Sequence, residues 1–118
     1  MAGDLWVVRL SAAAKQDYRQ ILQWSVTKFG VVQAQAYADT LSSTLKDLTA
    51  GPNISGVKER DDIAPNVKML RVARKGRKAS HFVLFRIACM KERNTIIVLR
   101  LLHERMDLAK HLVLDDVI

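Results

Sequence analysis

Four side chains in the second half of the chain have the chemistry needed to cleave a phosphodiester. They are two imidazoles and two guanidiniums, at His81, Arg86, Arg100 and His103. Attack by a ribose 2′-hydroxyl needs one group that accepts a proton, one that donates a proton to the leaving oxygen, and cations that hold the phosphate. These residue types therefore permit RNA cleavage as one hypothesis for this chain.

The same region permits a second hypothesis, in which the charged residues form a contact surface. The apolar run at residues 98–102 is followed at once by His103, Glu104, Arg105, Met106 and Asp107. Arg and Met are enriched at protein interfaces, so this hypothesis assigns target binding to His103, Arg105, Met106 and Asp107, without catalysis. A purely structural alternative stays open, in which Glu104 and Arg105 form a surface ion pair of small energy and Asp107 only caps a helix.

The first half of the chain has the periodicity of two helices. Residues 5–10 form a short apolar run typical of a strand, and Ser11 is suited to cap a helix whose apolar positions recur as far as Phe29. Gly30 can end that helix, and a second apolar stripe through residues 34–48 stops at Gly51-Pro52. The pattern predicts an αα-hairpin whose apolar stripes, Phe29 included, face the core.

Three more strands are predicted, at residues 67–72, 80–88 and 95–102. Residues 74–78 and 91–94 connect them and have hairpin length, whereas residues 53–65 have the composition of a loop. The order β-α-α-β-β-β, followed by a short C-terminal helix over residues 107–112, predicts one α+β domain over residues 1–118. In it the αα-hairpin packs on a small antiparallel β-sheet.

Two arginines interrupt the apolar strands and need partners. A buried guanidinium without a partner is very costly, so Arg86 and Arg100 should each reach water or a carboxylate. They line one concave face together, or they are two unrelated side chains whose charged ends reach solvent.

Positive charge is concentrated in the middle of the chain. The 118 residues carry a formal net charge of +7, and residues 51–100 hold twelve Lys/Arg against four Asp/Glu. This imbalance indicates an acidic partner, and the residues assigned to that contact are Arg71, Arg74, Lys75, Arg77 and Lys78. Direct phosphate binding by the connector at residues 74–78 is a third hypothesis, and a solvated hairpin tip is the simpler one.

Cysteine content and hydropathy indicate the cellular compartment in which we expect the protein. The single cysteine, Cys89, excludes an intramolecular disulfide, and its place in an apolar run predicts a buried thiol. No segment reaches the roughly 20 apolar residues of a membrane span, and the N-terminus lacks a signal-peptide pattern. We expect a cytoplasmic protein that makes no membrane contact.

Several segments resemble ParE-type toxins, which belong to the RelE/ParE group of bacterial toxin–antitoxin systems. The resemblance includes residues 12–17 and 21–25, Phe29-Gly30 between the helices, and residues 69–71 and 81–86 in the strands. Its most informative part is residues 98–107 together with Lys110-His111-Leu112. The resemblance as a whole covers most of residues 5–112. It implies the fold of the group, a small antiparallel sheet with a helical hairpin packed across it.

The two branches of that group imply different functions. RelE-like members cleave ribosome-bound messenger RNA and commonly use a tyrosine or histidine near the C-terminus. Here Tyr18 and Tyr37 fall on the predicted helices, which leaves His103 for that role. ParE-like members inhibit DNA gyrase and block replication without chemistry of their own. The motif at residues 98–107 favours a ParE-like toxin of a type II system, with a RelE-like ribonuclease as the alternative.

The resemblance also implies partners. A ParD-like antitoxin would neutralise the toxin, because an acidic and apolar segment suits both the basic middle of the chain and a groove beside the helical hairpin. We expect a hetero-oligomer of toxin and antitoxin, DNA gyrase as the target, and DNA contact through the gyrase complex. No cofactor and no metal are expected.

Overall fold

The computed structural model describes residues 5–73 and 79–104. Strand β1 spans Val7–Leu10, helix α1 Ala12–Phe29 and helix α2 Val31–Asp47, followed by a 3₁₀ turn at Leu48–Ala50. The remaining strands are β2 at Lys58–Glu59, β3 at Lys68–Arg71, β4 at His81–Met90 and β5 at Arg93–His103. The predicted α+β class and the helical hairpin are confirmed, and the short C-terminal helix expected over residues 107–112 lies outside the described residues.

Local capping determines where the helices begin and end. The Ser11 hydroxyl accepts a hydrogen bond from the Ala14 N–H at 3.0 Å, as expected of an N-cap. Gly30 has φ +89° between the two helices, a conformation that a residue with a Cβ rarely adopts. The sequence signals at Ser11 and Gly30 were therefore sufficient to set these ends.

The sheet differs from the expected one in two details. Its strand order is β1-β5-β4-β3-β2, and β1 runs parallel to β5, so the five-stranded sheet is mixed and not wholly antiparallel. The extra strand β2 lies in the segment expected to be a loop and pairs with β3. Both of its residues, Lys58 and Glu59, are exposed and polar, so it has no apolar pattern by which a strand could be recognised.

Strand β5 is covered on both faces. Ile96 and Val98 belong to the apolar cluster that contacts the helices, whereas Ile97 and Leu99 belong to a second cluster with Val67. Since successive strand residues point to opposite faces, the two clusters lie on opposite sides of the sheet. This explains why residues 96–99 of β5 are an unbroken apolar run.

Cys89 does not lie in the core, contrary to expectation. Its thiol is exposed, and it pairs across the hairpin with Asn94, which is also exposed. The β4–β5 hairpin continues beyond the part of the sheet that the helices cover, so apolar residues near its tip are left in contact with solvent.

A two-residue turn joins β4 to β5 in an unfavourable conformation. Met90 pairs with Arg93, and the two residues between them, Lys91 and Glu92, have φ +51° and +61°. Positive φ at both central positions is the pattern for which Asn-Gly is preferred, and residues with a longer side chain lose roughly 1 kcal/mol each there.

Replacing Lys91 by Asn together with Glu92 by Gly is expected to raise the free energy of unfolding by about 1 kcal/mol. Denaturant titration of both proteins measures the change. The matched control is Lys91→Ala with Glu92→Ala, which removes the same two charges and keeps a Cβ at both positions. An equal gain in the control would show that charge, and not backbone conformation, limits stability here.

Candidate protein-binding site

A cavity of about 360 Å³ lies beside the end of the helical hairpin. We call it the hairpin pocket. Its apolar lining comes from Trp24, Phe29 and Ala79, and its polar lining from Ser25, Gln33, Tyr37, Ser80, His81 and His103. A mainly apolar cavity with a few placed polar groups has the make-up of a binding site.

Large apolar side chains are exposed next to this pocket. The relative exposure is 54% for Trp24 and 62% for Phe29, and their rings meet edge to face with centroids 5.6 Å apart. We define the hairpin-end surface as these two residues with Val26, Val31 and Val32, which are exposed apolar residues where α1 ends and α2 begins. The expectation that Phe29 faces the core was therefore wrong, because its ring packs against Trp24 at the rim of the hairpin pocket.

Tyr37 connects helix α2 to the first residues of β4. The Ser80 N–H donates to the Tyr37 hydroxyl at 3.2 Å, and that hydroxyl lies 2.6 Å from Nδ1 of His81. Burial raises the pKa of Tyr37, with a further increase from Glu104 and an opposing effect of the Ser80 hydrogen bond. The phenol therefore keeps its proton near neutral pH and is available as a donor.

His81 is a neutral histidine in direct contact with a second one. It pairs across the strands with His103, and the two rings are nearly perpendicular at a centroid separation of 5.3 Å. The pKa of His81 is lowered to about 4, chiefly by burial and also by the charge of His103, against the opposing effects of Asp17 and Glu104. His81 is thus uncharged at neutral pH.

The low pKa of His81 makes stability depend on pH. The unfolded chain binds a proton at this histidine near pH 6.5, whereas the folded protein does so only near pH 4. The free energy of unfolding should therefore decrease as pH falls from about 6.5 to 4. After allowance for solvent screening of a partly exposed ring, the His81 share of this loss is about 1–2 kcal/mol.

The contribution of His81 is tested by measuring the free energy of unfolding across this pH range in the wild type and in His81→Gln. Glutamine does not titrate, and its carbonyl oxygen can accept from Tyr37, so the variant should lose less stability on acidification. Identical pH profiles for the two proteins would contradict the assignment.

The structure does not bring together the four residues of the RNA-cleavage hypothesis. His81 and His103 are adjacent, but the Arg100 guanidinium binds Asp17 of α1, with Nε to Oδ2 at 2.7 Å and Nη2 to Oδ1 at 2.9 Å. Arg86 pairs with Ile97 and lines a separate cavity with Glu59 and Asp61.

The two arginines also differ in how their charges are accommodated. The expectation that Arg100 reaches a carboxylate is confirmed, since it pairs with Asp17. Arg86 has a buried Nε without an acceptor among the described residues. Arg100 is held by Asp17 of α1, whereas Arg86 lines the cavity beside Glu59 and Asp61, so the two guanidiniums do not line one shared site.

Asp17 was not identified from the sequence, although it organises the end of β5. Its Oδ2 also accepts the Leu101 N–H at 3.0 Å, and the Ser11 hydroxyl donates to the Leu99 carbonyl at 2.8 Å. Opposite Leu99 the register of β4 shifts, leaving Leu99 as the extra residue of a β-bulge. Helix α1 thereby satisfies backbone groups that the bulge removes from the strand ladder. Asp17 lies at the border of the apolar face predicted for α1, three residues after Ala14 and four before Ile21, and an acidic residue there gives no local signal of this role.

Of the residues assigned to contact with an acidic partner, the structure describes only Arg71. Its guanidinium lies 3.3 Å from Glu104 and 5.2 Å from the centre of the Phe82 ring. Both partners of the ion pair are substantially exposed, so it contributes little to stability. The other members of that set, Arg74, Lys75, Arg77 and Lys78, lie outside the described residues.

Of the four residues assigned to target binding, the structure describes only His103. His103 is partly buried at the end of β5 and lines the hairpin pocket, while Arg105, Met106 and Asp107 lie outside the described residues.

Within residues 5–73 and 79–104, no three His, Cys, Asp or Glu side chains are grouped so that they could hold a metal ion. No helix in these two segments is both long and apolar enough to cross a membrane.

Comparison with known proteins identifies the family. Residues 8–108 match the model of the ParE toxin of type II toxin–antitoxin systems. The chain is 30% identical to Toxin ParE1 of Mycobacterium tuberculosis over 103 residues, which cover 87% of this chain and 94% of that protein. It is 29% identical to Toxin ParE1 of Caulobacter vibrioides over 104 residues, which cover 88% of this chain and 95% of that protein.

A solved structure shows the same fold. A chain of the chromosomal ParDE toxin–antitoxin system from P. aeruginosa superimposes with a TM-score of 0.67 at 19% identity, over 86% of this chain and 98% of that one. The protein is a small α+β toxin of a type II toxin–antitoxin system. It belongs to the ParE toxin family.

Proposed function

We propose that this ParE-family protein arrests growth by inhibiting DNA gyrase and that a ParD-like antitoxin holds it inactive. It would act in the cytoplasm as a single domain, without catalysis by its own residues. Family membership supports the target, since the resemblance of residues 98–107 lies with ParE-like members. The observation that carries the proposal is the exposed apolar hairpin-end surface beside the hairpin pocket.

That surface needs a partner. Contiguous exposed apolar side chains on a small protein mark sites of protein contact, and Trp is among the residues that contribute most at interfaces. The described residues hold thirteen Lys/Arg against eight Asp/Glu. An antitoxin segment that combines acidic and apolar side chains would match both properties.

Purified protein tests the target directly. It should block negative supercoiling of relaxed plasmid by gyrase and stabilise the cleaved-DNA intermediate, while ribosome-bound messenger RNA stays intact. Addition of the protein encoded by the neighbouring reading frame should restore supercoiling. Cleaved message with unaffected supercoiling would replace this proposal by the RelE-like ribonuclease function, with His81 and His103 as the first residues to substitute.

A further inference from the structure

One hydrogen bond favours a particular tautomer of the histidine in the hairpin pocket. The Tyr37 hydroxyl already accepts from the Ser80 N–H, and its only other hydrogen-bond partner among the described residues is Nδ1 of His81 at 2.6 Å. Nδ1 is the only acceptor for the hydroxyl proton among the described residues, so the pairing that uses this proton has Tyr37 donating to Nδ1. A neutral imidazole that accepts at one nitrogen carries its proton on the other, so this pairing places the His81 N–H at Nε2.

That N–H has no acceptor among the described residues. It is not a buried atom left without a partner, so it is open to solvent or to a ligand. His81 lines the hairpin pocket together with the apolar side chains of Trp24 and Phe29. The pocket thus offers one oriented donor in a mainly apolar cavity, and an unfilled donor of this kind selects ligands that carry an acceptor.

A donor that can itself take up a proton favours a carboxylate as that acceptor. The described residues have an excess of basic over acidic side chains, and an anion beside His81 would be stabilised further if the imidazole took up a proton. The groups facing His81 are Tyr37 of α2, Asp17 of α1, and His103 and Glu104 at the end of β5. Arg71 neutralises part of the Glu104 charge, which reduces repulsion of an incoming carboxylate.

We propose that the hairpin pocket binds an apolar side chain together with an adjacent carboxylate of the antitoxin segment, and that Tyr37 is the positioning residue that fixes His81 as the donor to that carboxylate. This inference rests on the proposed function only in naming the antitoxin as the protein that supplies the ligand. The recognition itself is a property of the free toxin, so it can be measured without antitoxin or gyrase.

The probe is N-acetyl-L-tryptophan, which carries a large apolar side chain and a carboxylate. Its neutral counterpart, N-acetyl-L-tryptophanamide, has the same side chain and no charge. Both are titrated into the full chain while the imidazole nitrogen resonances of His81 are followed by NMR. We expect free His81 in the Nε2–H form, a change in its resonances on adding the acid, and tighter binding of the acid as pH is lowered from 7 to 5.5. The amide should bind more weakly and without that pH dependence.

Tyr37→Phe tests the positioning role. The variant lacks the hydroxyl that holds Nδ1, so His81 should show both neutral tautomers and affinity for the acid should fall about fivefold to tenfold. Tyr18→Phe is the matched control, because its hydroxyl bonds to the Ser42 hydroxyl at the exposed surface of the hairpin, away from this pocket. That control should leave the tautomer and the affinity unchanged.

Three results would overturn the proposal. They are a wild-type His81 with its proton on Nδ1, equal binding of acid and amide, and no change in the His81 resonances with either probe. The wild-type measurements decide these points even if Tyr37→Phe does not fold. Because none involves gyrase, a failed gyrase assay with positive probe binding would leave this inference standing, and the reverse result would leave the gyrase proposal standing.

Discussion

Asp17→Asn is expected to lower the free energy of unfolding by about 3 kcal/mol. The substitution keeps the size of the side chain and an oxygen that can accept from the Leu101 N–H, but it removes the charge paired with Arg100. The exposed side-chain fractions of Asp17 and Arg100 are only 8% and 18%, so water cannot replace the lost partner. Breaking one side of a buried pair leaves an uncompensated charge, which costs more than the pair itself contributes.

Chemical denaturation compared with Asp39→Asn measures this loss. Asp39 is an exposed helical aspartate that accepts from Gln35 at 3.3 Å, so its substitution should change stability by less than about 0.5 kcal/mol. A double variant, Asp17→Asn with Arg100→Met, should recover about half of the loss, since the cation that Asp17 neutralised is also gone. If Asp17→Asn and Asp39→Asn were equally mild, the pair would not be the connection between α1 and the bulge of β5.

Trp24→Ala and Phe29→Ala are each expected to weaken antitoxin binding by about 2–4 kcal/mol, or at least thirtyfold, with little change in stability. Both rings are more than half exposed, so their truncation removes few contacts within the toxin. In a complex the same rings would lie at the centre of the hairpin-end surface, where aromatic side chains contribute most.

Calorimetric titration with the protein encoded by the neighbouring reading frame measures this effect. Ile87→Ala is the matched control, because Ile87 is an exposed apolar residue of β4, at 45% exposure, that lies apart from the hairpin pocket. Equal affinity of Trp24→Ala, Phe29→Ala and the wild type would show that the antitoxin binds elsewhere. Loss of affinity in Ile87→Ala of the same size would instead indicate a general effect of apolar exposure.

Much of the fold could be predicted from the sequence because the relevant signals are local. The Ser11 cap, the break at Gly30 and the apolar stripe of α2 are set by residues within a few positions of one another. The family assignment also depends on segments that are contiguous in the chain. The strand β2 and the exposure of Cys89 could not be predicted, because they depend on where neighbouring elements end.

The candidate site was predicted only in part. His81 and His103 were both selected from the sequence, but as members of a set with Arg86 and Arg100 that the fold separates. Tyr37 was set aside because it lies on a helix, yet the packing of α2 against the start of β4 brings its hydroxyl to His81. Pairs 44 residues apart have no spacing rule, so only the packed structure reveals them.

The sequence by itself determined that this chain is an α+β domain with a helical hairpin, that it is basic, and that it belongs with the ParE-type toxins. Tertiary structure alone decided that β1 runs parallel to β5, that Asp17 neutralises Arg100, and that Trp24 and Phe29 remain exposed beside a pocket containing two histidines. The reason is physical. Capping and hydrophobic periodicity act between neighbours in the chain, whereas strand register, burial and hydrogen-bond pairing are fixed only when distant segments pack together.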